Sequence, residues 1–321
     1  MERPYVEWVR IEGFRCVKAA DLRLTPLHAL IGPNDSGKSS ILRAMQGASG
    51  GGVGAGMWFR DGRGPIGGFR YVGNARRFFS DAYPTDGGAP SDTLRSLGTF
   101  SVLRLDPDEL RRDTKLFTSD QQPWFFNEKG HGLPSLYDAL LARDRRAFTN
   151  IEDQFRLLFP TVAALRLDNP SSGTKAIGAT LVDGTAVTAE TMSEGMLYWL
   201  AFAIVQHLRL AQGLLIEEPE NGLHPARIKE VMRVLRDVSR RTQIILATHS
   251  PLVINELRAE EVTIVTRTAE RGTICTPMTA TKHFATRSKV YALGELWLSY
   301  ADGDVERELV EDVDTDAAKA G

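Results

Sequence analysis

Gly32-Pro33-Asn34-Asp35-Ser36-Gly37-Lys38-Ser39 decides the fold of this chain. Two glycines with four residues between them, followed by Lys and Ser, form a loop that serves phosphate. Such a loop aims successive backbone N–H groups at one anion, and a helix starting behind it adds the positive end of its dipole. Lys38 has the reach to meet the β- and γ-phosphates of a nucleotide, and the Ser39 hydroxyl is a ligand for Mg2+. The surroundings agree. Leu27 to Ile31 is a compact apolar run that reads as a strand, and Lys38 to Gln46 carries Ile41, Leu42 and Met45 on one helical face. Strand, loop and helix together make Gly32 to Ser40 the expected nucleotide-contacting segment.

Working outward, Leu214-Leu215-Ile216-Glu217-Glu218-Pro219-Glu220-Asn221 runs a buried strand directly into two carboxylates. In open α/β sheets, ligands bind at that carboxyl end. Neighbours on a strand face opposite sides, so the two acids are expected to differ in role, one holding Mg2+ and the other polarising water. Ile244-Ile245-Leu246-Ala247-Thr248-His249-Ser250-Pro251 is a second buried strand, ending in a hydroxyl, an imidazole and a Ser-Pro helix start. In that company His249 reads as a γ-phosphate sensor. Met196 to Leu208 is apolar on every side and belongs in the interior. Ala226 to Arg240 is amphipathic, with Pro225 at its first position. Alternating apolar strands and helices indicate an α/β sheet covered on both faces.

Composition narrows the class. The 321 residues are 42% hydrophobic and 25% charged, with a formal net charge of -2. That profile excludes a globally basic nucleic-acid binder and fits a soluble globular protein. Cys16 and Cys275 form no CxxC pair, so neither a disulfide framework nor a cysteine zinc site is expected. The N-terminus has no apolar signal core and no apolar run is long enough to span a bilayer. A cytoplasmic protein without membrane association is expected.

Together these segments resemble the ABC-type ATPases of the SMC/RecF class, most closely the small bacterial AAA-labelled relatives of the overcoming-lysogenisation-defect (OLD) ATPases. Val9-Arg10-Ile11-Glu12-Gly13-Phe14-Arg15 looks like that family's first strand, and Thr191-Met192-Ser193-Glu194-Gly195-Met196 like its signature. Glu217 to Pro225 resembles Walker B running into the D-loop, and Thr248-His249-Ser250-Pro251 the switch histidine. The resemblance implies an ABC-type P-loop NTPase with N-terminal antiparallel strands, a central mostly parallel sheet and a helical insertion. The ATPase domain would cover residues 1–300, with the insertion at about 50–160 and an acidic flexible tail at 301–321. Two protomers would clamp two ATP molecules head to tail. Ser193, Glu194 and Gly195 would complete the partner's site, Glu218 would orient water, Glu217 and Ser39 would hold Mg2+, and His249 would sense the γ-phosphate. Bacterial DNA repair or antiphage defence is the setting the family suggests.

The departures are specific. Glu217 stands where many relatives have Asp, and Asp35 replaces a common glycine, tolerably, because Asp accepts left-handed geometry. Gln121 and Gln122 are the Q-loop candidates. Between Ser40 and Ser193 lie 152 residues without sustained heptads, so long coiled-coil arms are not expected. The 72 residues after His249 are too few for a Toprim nuclease domain, which makes a separate nuclease or toxin the expected effector.

Two segments leave alternatives open. Gly47 to Gly73 holds 11 of the 29 glycines and reads as a mobile or extended loop. Arg60, Arg63, Arg70, Arg76 and Arg77, against Asp61 and interleaved with aromatics, suit a DNA backbone, or else ordinary solubilising charge. Asp302 to Gly321 carries eight acids against two bases and reads as a solvated end, or else as a dock for a basic partner. The activity expected is ATP hydrolysis coupled to dimer closure, acting on DNA or gating an effector. The rivals are an ATP-bound scaffold with negligible turnover and, more remotely, a transporter motor subunit.

Overall fold

The computed structural model describes residues 5–50, 55–61, 64–72, 75–79, 100–118, 120–209, 213–281 and 284–300. The strands are β1 (Tyr5–Phe14), β2 (Val17–Arg23), β3 (Leu27–Ile31), β4 (Ala55–Asp61), β5 (Gly64–Val72), β6 (Ala75–Phe79), β7 (Phe100–Leu103), β8 (Thr114–Lys115), β9 (Val162–Asp168), β10 (Thr174–Leu181), β11 (Ala186–Thr188), β12 (Gly213–Glu217), β13 (Gln243–Thr248), β14 (Val262–Thr268) and β15 (Gly272–Pro277). The helices are α1 (Lys38–Gly50), α2 (Pro107–Arg111), α3 (Leu133–Arg143), α4 (Arg145–Leu158), α5 (Glu194–Val205), α6 (Pro225–Ser239), α7 (Pro251–Asn255), α8 (Phe284–Arg287) and α9 (Leu293–Tyr300). The described residues within Met1–Val102, Ala211–Glu218 and Ser239–Gly321 form one compact unit, and those within Leu103–Leu210 and Pro219–Val238 a second.

The first unit holds two sheets. Its central sheet runs β15-β14-β3-β13-β12-β7. Strands β12, β13, β3 and β14 pair in parallel, and β15 turns back antiparallel to β14. Every residue of β3, β12 and β13 is buried, which is why these strands read as continuous apolar runs. The N-terminal sheet, β2-β1-β4-β5-β6, is antiparallel throughout. One apolar cluster joins Val9, Ile11, Leu22, Ile41, Met45, Met57, Leu215 and Ile245. A buried amide ties β13 to the N-terminal strands. Gln243 Oε1 accepts from Val6 N at 2.9 Å, and Nε2 donates to Val6 O at 2.8 Å and Thr25 O at 3.1 Å. Leaving such a buried group unpaired costs about 1–3 kcal/mol, so these bonds hold β13 in register with β1.

The glycine-rich stretch differs from the expected loop. Residues 47–50 finish α1, and the other described parts are strands: β4 pairs with β1, placing Met57 opposite Val9, and β5 pairs with β4. Glycine weakens a strand only by its entropy and missing side chain. Once β1 offers an open edge, ladder hydrogen bonds outweigh that cost, and no local pattern announces it. The five arginines of the expected DNA segment fall here. The backbone around Arg60, Arg70, Arg76 and Arg77 is strand, and Arg63 lies outside the described residues. The acidic tail likewise lies outside them.

The second unit packs helices against a small sheet, β11-β10-β8 with β9 on β10. Helices α3 and α4 meet at Asp144, whose side chain caps α4 by accepting from Ala147 N at 3.0 Å. Helix α5 buries Leu197 through Val205. Tyr137 OH donates to Leu200 O at 2.9 Å, and Phe155 lies 5.7 Å from Trp199. A helix enclosed in this way has no polar face to show, as its sequence implied.

Candidate functional site

The phosphate loop follows β3, as its spacing requires, and α1 begins at Lys38. Gly32 must be glycine because an added Cβ would strike Val265 O of β14. Gly37 sits at φ +109°, a region that favours glycine, and a Cβ there would strike Thr273 Oγ1. Asp35 takes φ +64°, the left-handed geometry that aspartate tolerates. Lys38 is nearly buried and donates to Gly32 O and Pro33 O, both at 2.7 Å, so its ammonium is held at the loop that precedes it. Pro33 is half-buried and Asn34 exposed. Ser36 is 2% exposed, and its Oγ has no hydrogen-bond partner, a buried hydroxyl inside a loop of the kind that cradles anions.

The two carboxylates separate at the end of β12. Glu217 is the last strand residue and is 6% exposed. Its Oε2 accepts from Ser39 Oγ at 3.0 Å, and its Oε1 faces Arg43 Nε at 3.8 Å. Glu218 leaves the strand at φ +50°, a left-handed conformation rare for a residue with a side chain and common where function demands it. Its backbone N–H donates to Ala247 O at 2.8 Å. Its Oε1 lies 3.9 Å from Nδ1 of His249, which follows β13 and is half-exposed. Parallel register sets this out: Glu217 pairs with Ala247, and Ala247 with Leu30 two residues before the loop. The two carboxylates therefore meet different partners, and the left-handed turn at Glu218 separates them.

Ser39 hydroxyl and Glu217 carboxylate are hard oxygen donors already in contact, the donor set that Mg2+ accepts. The orphaned Ser36 hydroxyl and the two obligatory glycines likewise fit a loop shaped for phosphate.

In the second unit Ser193 caps α5, its Oγ accepting from Met196 N at 3.3 Å. Ser193 and Glu194 are exposed and Gly195 half-buried at the helix N-terminus. The Asn221-Gly222 turn lies against that first helical turn. Gly222 is at φ +67°, a Cβ on it would strike the Tyr198 ring, and a Cβ on Gly195 would meet Gly222 O at 3.3 Å. Gln121 Oε1 accepts from Thr118 N, and Gln122 donates to Arg209 O, so both Q-loop candidates serve contacts of the second unit.

Sequence reasoning missed three residues at the phosphate loop. Thr273 of β15 donates to Ser36 O at 3.0 Å, bracing the loop from behind. Cys16 Sγ donates to Ser40 Oγ at 3.3 Å. Burial pushes the Cys16 thiol up, but contacts with Ser40 and Thr273 and the charge of Arg267 outweigh it and hold the thiol below its ordinary value. Arg43, one turn beyond Ser39, is the third. The β-branched residues of 262–277 mark strands there, but nothing local marks any of the three as a site residue.

Residues 104–255 match the family described as "AAA domain, putative AbiEii toxin, Type IV TA system", and residues 5–47 match an "AAA ATPase domain". A stretch of 37 residues is 49% identical to an OLD nuclease of Thermus scotoductus; the match spans 12% of this chain and 7% of that protein. Two solved structures share the fold. The SmcHead bound to the C-winged helix domain of ScpA is 17% identical, with a TM-score of 0.56, over 85% of this chain and 97% of that one. The Smc head domain with a coiled coil and joint from Pyrococcus yayanosii is 12% identical, with a TM-score of 0.56, over 89% and 100%. No helix among the described residues is long and apolar enough to cross a membrane.

Proposed function

We propose that the chain is an AAA-family ATPase with the SMC-head fold, related to the OLD proteins, in which Mg2+-dependent ATP hydrolysis drives head-to-tail closure of a homodimer that acts on DNA or gates an effector protein. The observation that supports it most is the separation of two carboxylates at the end of β12, where Glu217 contacts Ser39 and Glu218 turns away toward His249.

The residues then act as follows. Loop N–H groups and Lys38 hold the β- and γ-phosphates. Ser39 and Glu217 hold Mg2+, which when bound neutralises phosphate charge. Glu218 orients the attacking water and accepts its proton as the new oxygen–phosphorus bond forms and the bond from the γ-phosphorus to the β–γ bridging oxygen breaks, ADP leaving. His249, in reach of Glu218, hydrogen-bonds the γ-phosphate and keeps that carboxylate aimed. The exposed Ser193, Glu194 and Gly195 present a helix N-terminus to the nucleotide held by the other protomer, where the dipole favours the anion. ATP is thus the bridge that closes the dimer, and loss of the γ-phosphate opens it.

The toxin–antitoxin wording of the matched family supports the effector arm, with a nuclease or toxin on a separate chain as the controlled partner. The test is Glu218→Gln. It keeps ATP affinity, lowers turnover by about 10²–10³-fold, and elutes as a dimer with ATP. Wild-type turnover in this variant overturns the assignment of Glu218. Turnover measured with and without duplex DNA separates the DNA arm from the effector arm.

A further inference from the structure

A cavity of about 680 Å³ lies within the helical unit and belongs to no step described above. Its apolar wall includes Ala176 and Ile177 of β10 and Ala189, and its ionisable lining is four carboxylates against two guanidinium groups. Most of those charges are already committed. Asp108 pairs with Arg111 at 3.1 Å, Asp168 with Arg166 at 2.8 Å, and Arg112 with Glu109 at 3.1 Å. Asp113 and Glu190, both exposed, make no hydrogen bond or ion pair among the described residues. Arg111 is the deep member, its side chain 21% exposed. Its Nη2 reaches Met192 O at 3.5 Å, a weak bond, and its Nε is buried without a partner.

The lining therefore offers two uncommitted anions, an apolar wall and a guanidinium whose Nη2 holds Met192 O only weakly. An anionic ligand or nucleic acid meets the excess of carboxylates. A basic side chain on a polypeptide meets all three features: its cation at Asp113 and Glu190, its methylene stem on Ala176 and Ile177, and a backbone carbonyl as acceptor for Arg111. We propose that this cavity is a docking socket for an Arg or Lys side chain presented by a partner polypeptide. The socket shares a wall with the signature. Thr188 and Ala189 line it, and Thr188 O accepts from Thr191 N and Met192 N, at 3.0 Å each, directly before Ser193. A docked carbonyl competes with Met192 O for Arg111, so occupancy is transmitted to the turn that sets Ser193. This last step rests on the proposed role of Ser193; the socket itself does not.

Calorimetric titration of the full chain, without nucleotide, tests the socket. The probes are the blocked peptide acetyl-Gly-Ala-Arg-Ala-Gly-amide, the same peptide with citrulline for arginine, and free L-arginine. The arginine peptide should bind about tenfold or more tightly than its neutral isostere, and the preference should be lost in Asp113→Asn/Glu190→Gln, whose fold is checked by circular dichroism. Equal affinity for the arginine and citrulline peptides overturns the proposal, as does binding unchanged in the double variant. Free arginine binding as tightly as the peptide makes the site one for an amino acid and overturns the assignment to a polypeptide. Since no nucleotide is present, these outcomes are independent of whether Glu218 catalyses hydrolysis.

Discussion

At the carboxyl edge of the central sheet each reactive side chain rests on another: Lys38 on Gly32 O and Pro33 O, Ser39 on Glu217, Glu217 on Arg43, Glu218 beside His249. At the signature, Ser193 holds Met196 N of its own helix, and it and Glu194 stand exposed. The first region is preorganised, so its geometry persists whether or not another protein is present. The second is an exposed helix N-terminus, whose first N–H groups lie beyond the reach of its own helical bonds. Under the proposed function, single substitutions act on nucleotide binding in the first region and on assembly in the second.

Lys38→Ala attacks the preorganised edge and should have the largest effect. Loss of its charge-assisted bonds lowers ATP affinity by about 10²–10³-fold in a fluorescent-nucleotide titration. Near-native affinity would break the comparison at its root. Ser193→Arg, at the exposed tip, should leave that affinity within about twofold while cutting turnover by about 10²-fold and abolishing the ATP-dependent dimer seen in size exclusion. A loss of nucleotide affinity there would mean that the tip is not an interface element.

The rigidity of the first unit carries a pH signature. His28 is buried between Thr25 and Thr263, its Nε2 2.9 Å from Thr263 Oγ1, and burial lowers its pKa to about 4 despite the opposing charge of Glu261. A depressed folded value means the unfolded chain takes up the proton first. The stability this group contributes is thus complete above about 6.5 and is lost as pH falls toward about 4, on the order of 3 kcal/mol at most. Thermal unfolding from pH 7 to 4.5 should show it, and His28→Gln should flatten that slope.

The smallest effect concerns Arg43. Removing it from beside Glu217 should weaken Mg2+-supported nucleotide binding, and less so in a Glu217→Asp background, where the shorter carboxylate no longer reaches it. A coupling of about 1 kcal/mol in that double-mutant cycle is expected. Strict additivity would show that Arg43 and Glu217 act independently.

Much of the site was legible because its motifs are local. The phosphate loop, the acids after β12 and His249 after β13 each end an apolar run, and a buried parallel strand leaves that run as its trace. Thr273 was not legible as a site residue. It lies 237 residues from the Ser36 carbonyl it contacts, and a threonine in a hairpin looks the same whether or not a loop rests on it. Strands β4 and β5 were hidden for a related reason. Glycine carries no pattern, and only the open edge of β1 makes those residues a sheet.

The sequence by itself determined the class of chemistry. Glycines, lysine, serine and carboxylates at fixed spacings after buried strands are the pattern from which phosphate binding and hydrolysis are proposed, because backbone geometry links spacing to position within a few residues. The tertiary structure alone decided which side chains support that chemistry: Thr273 and Cys16 behind the loop, Arg43 on the buried acid, and the left-handed turn that sends Glu218 to His249. Those contacts join residues far apart in the chain. Their energies exist only after parallel pairing has brought β3, β12, β13 and β15 into one sheet, and no local pattern encodes them.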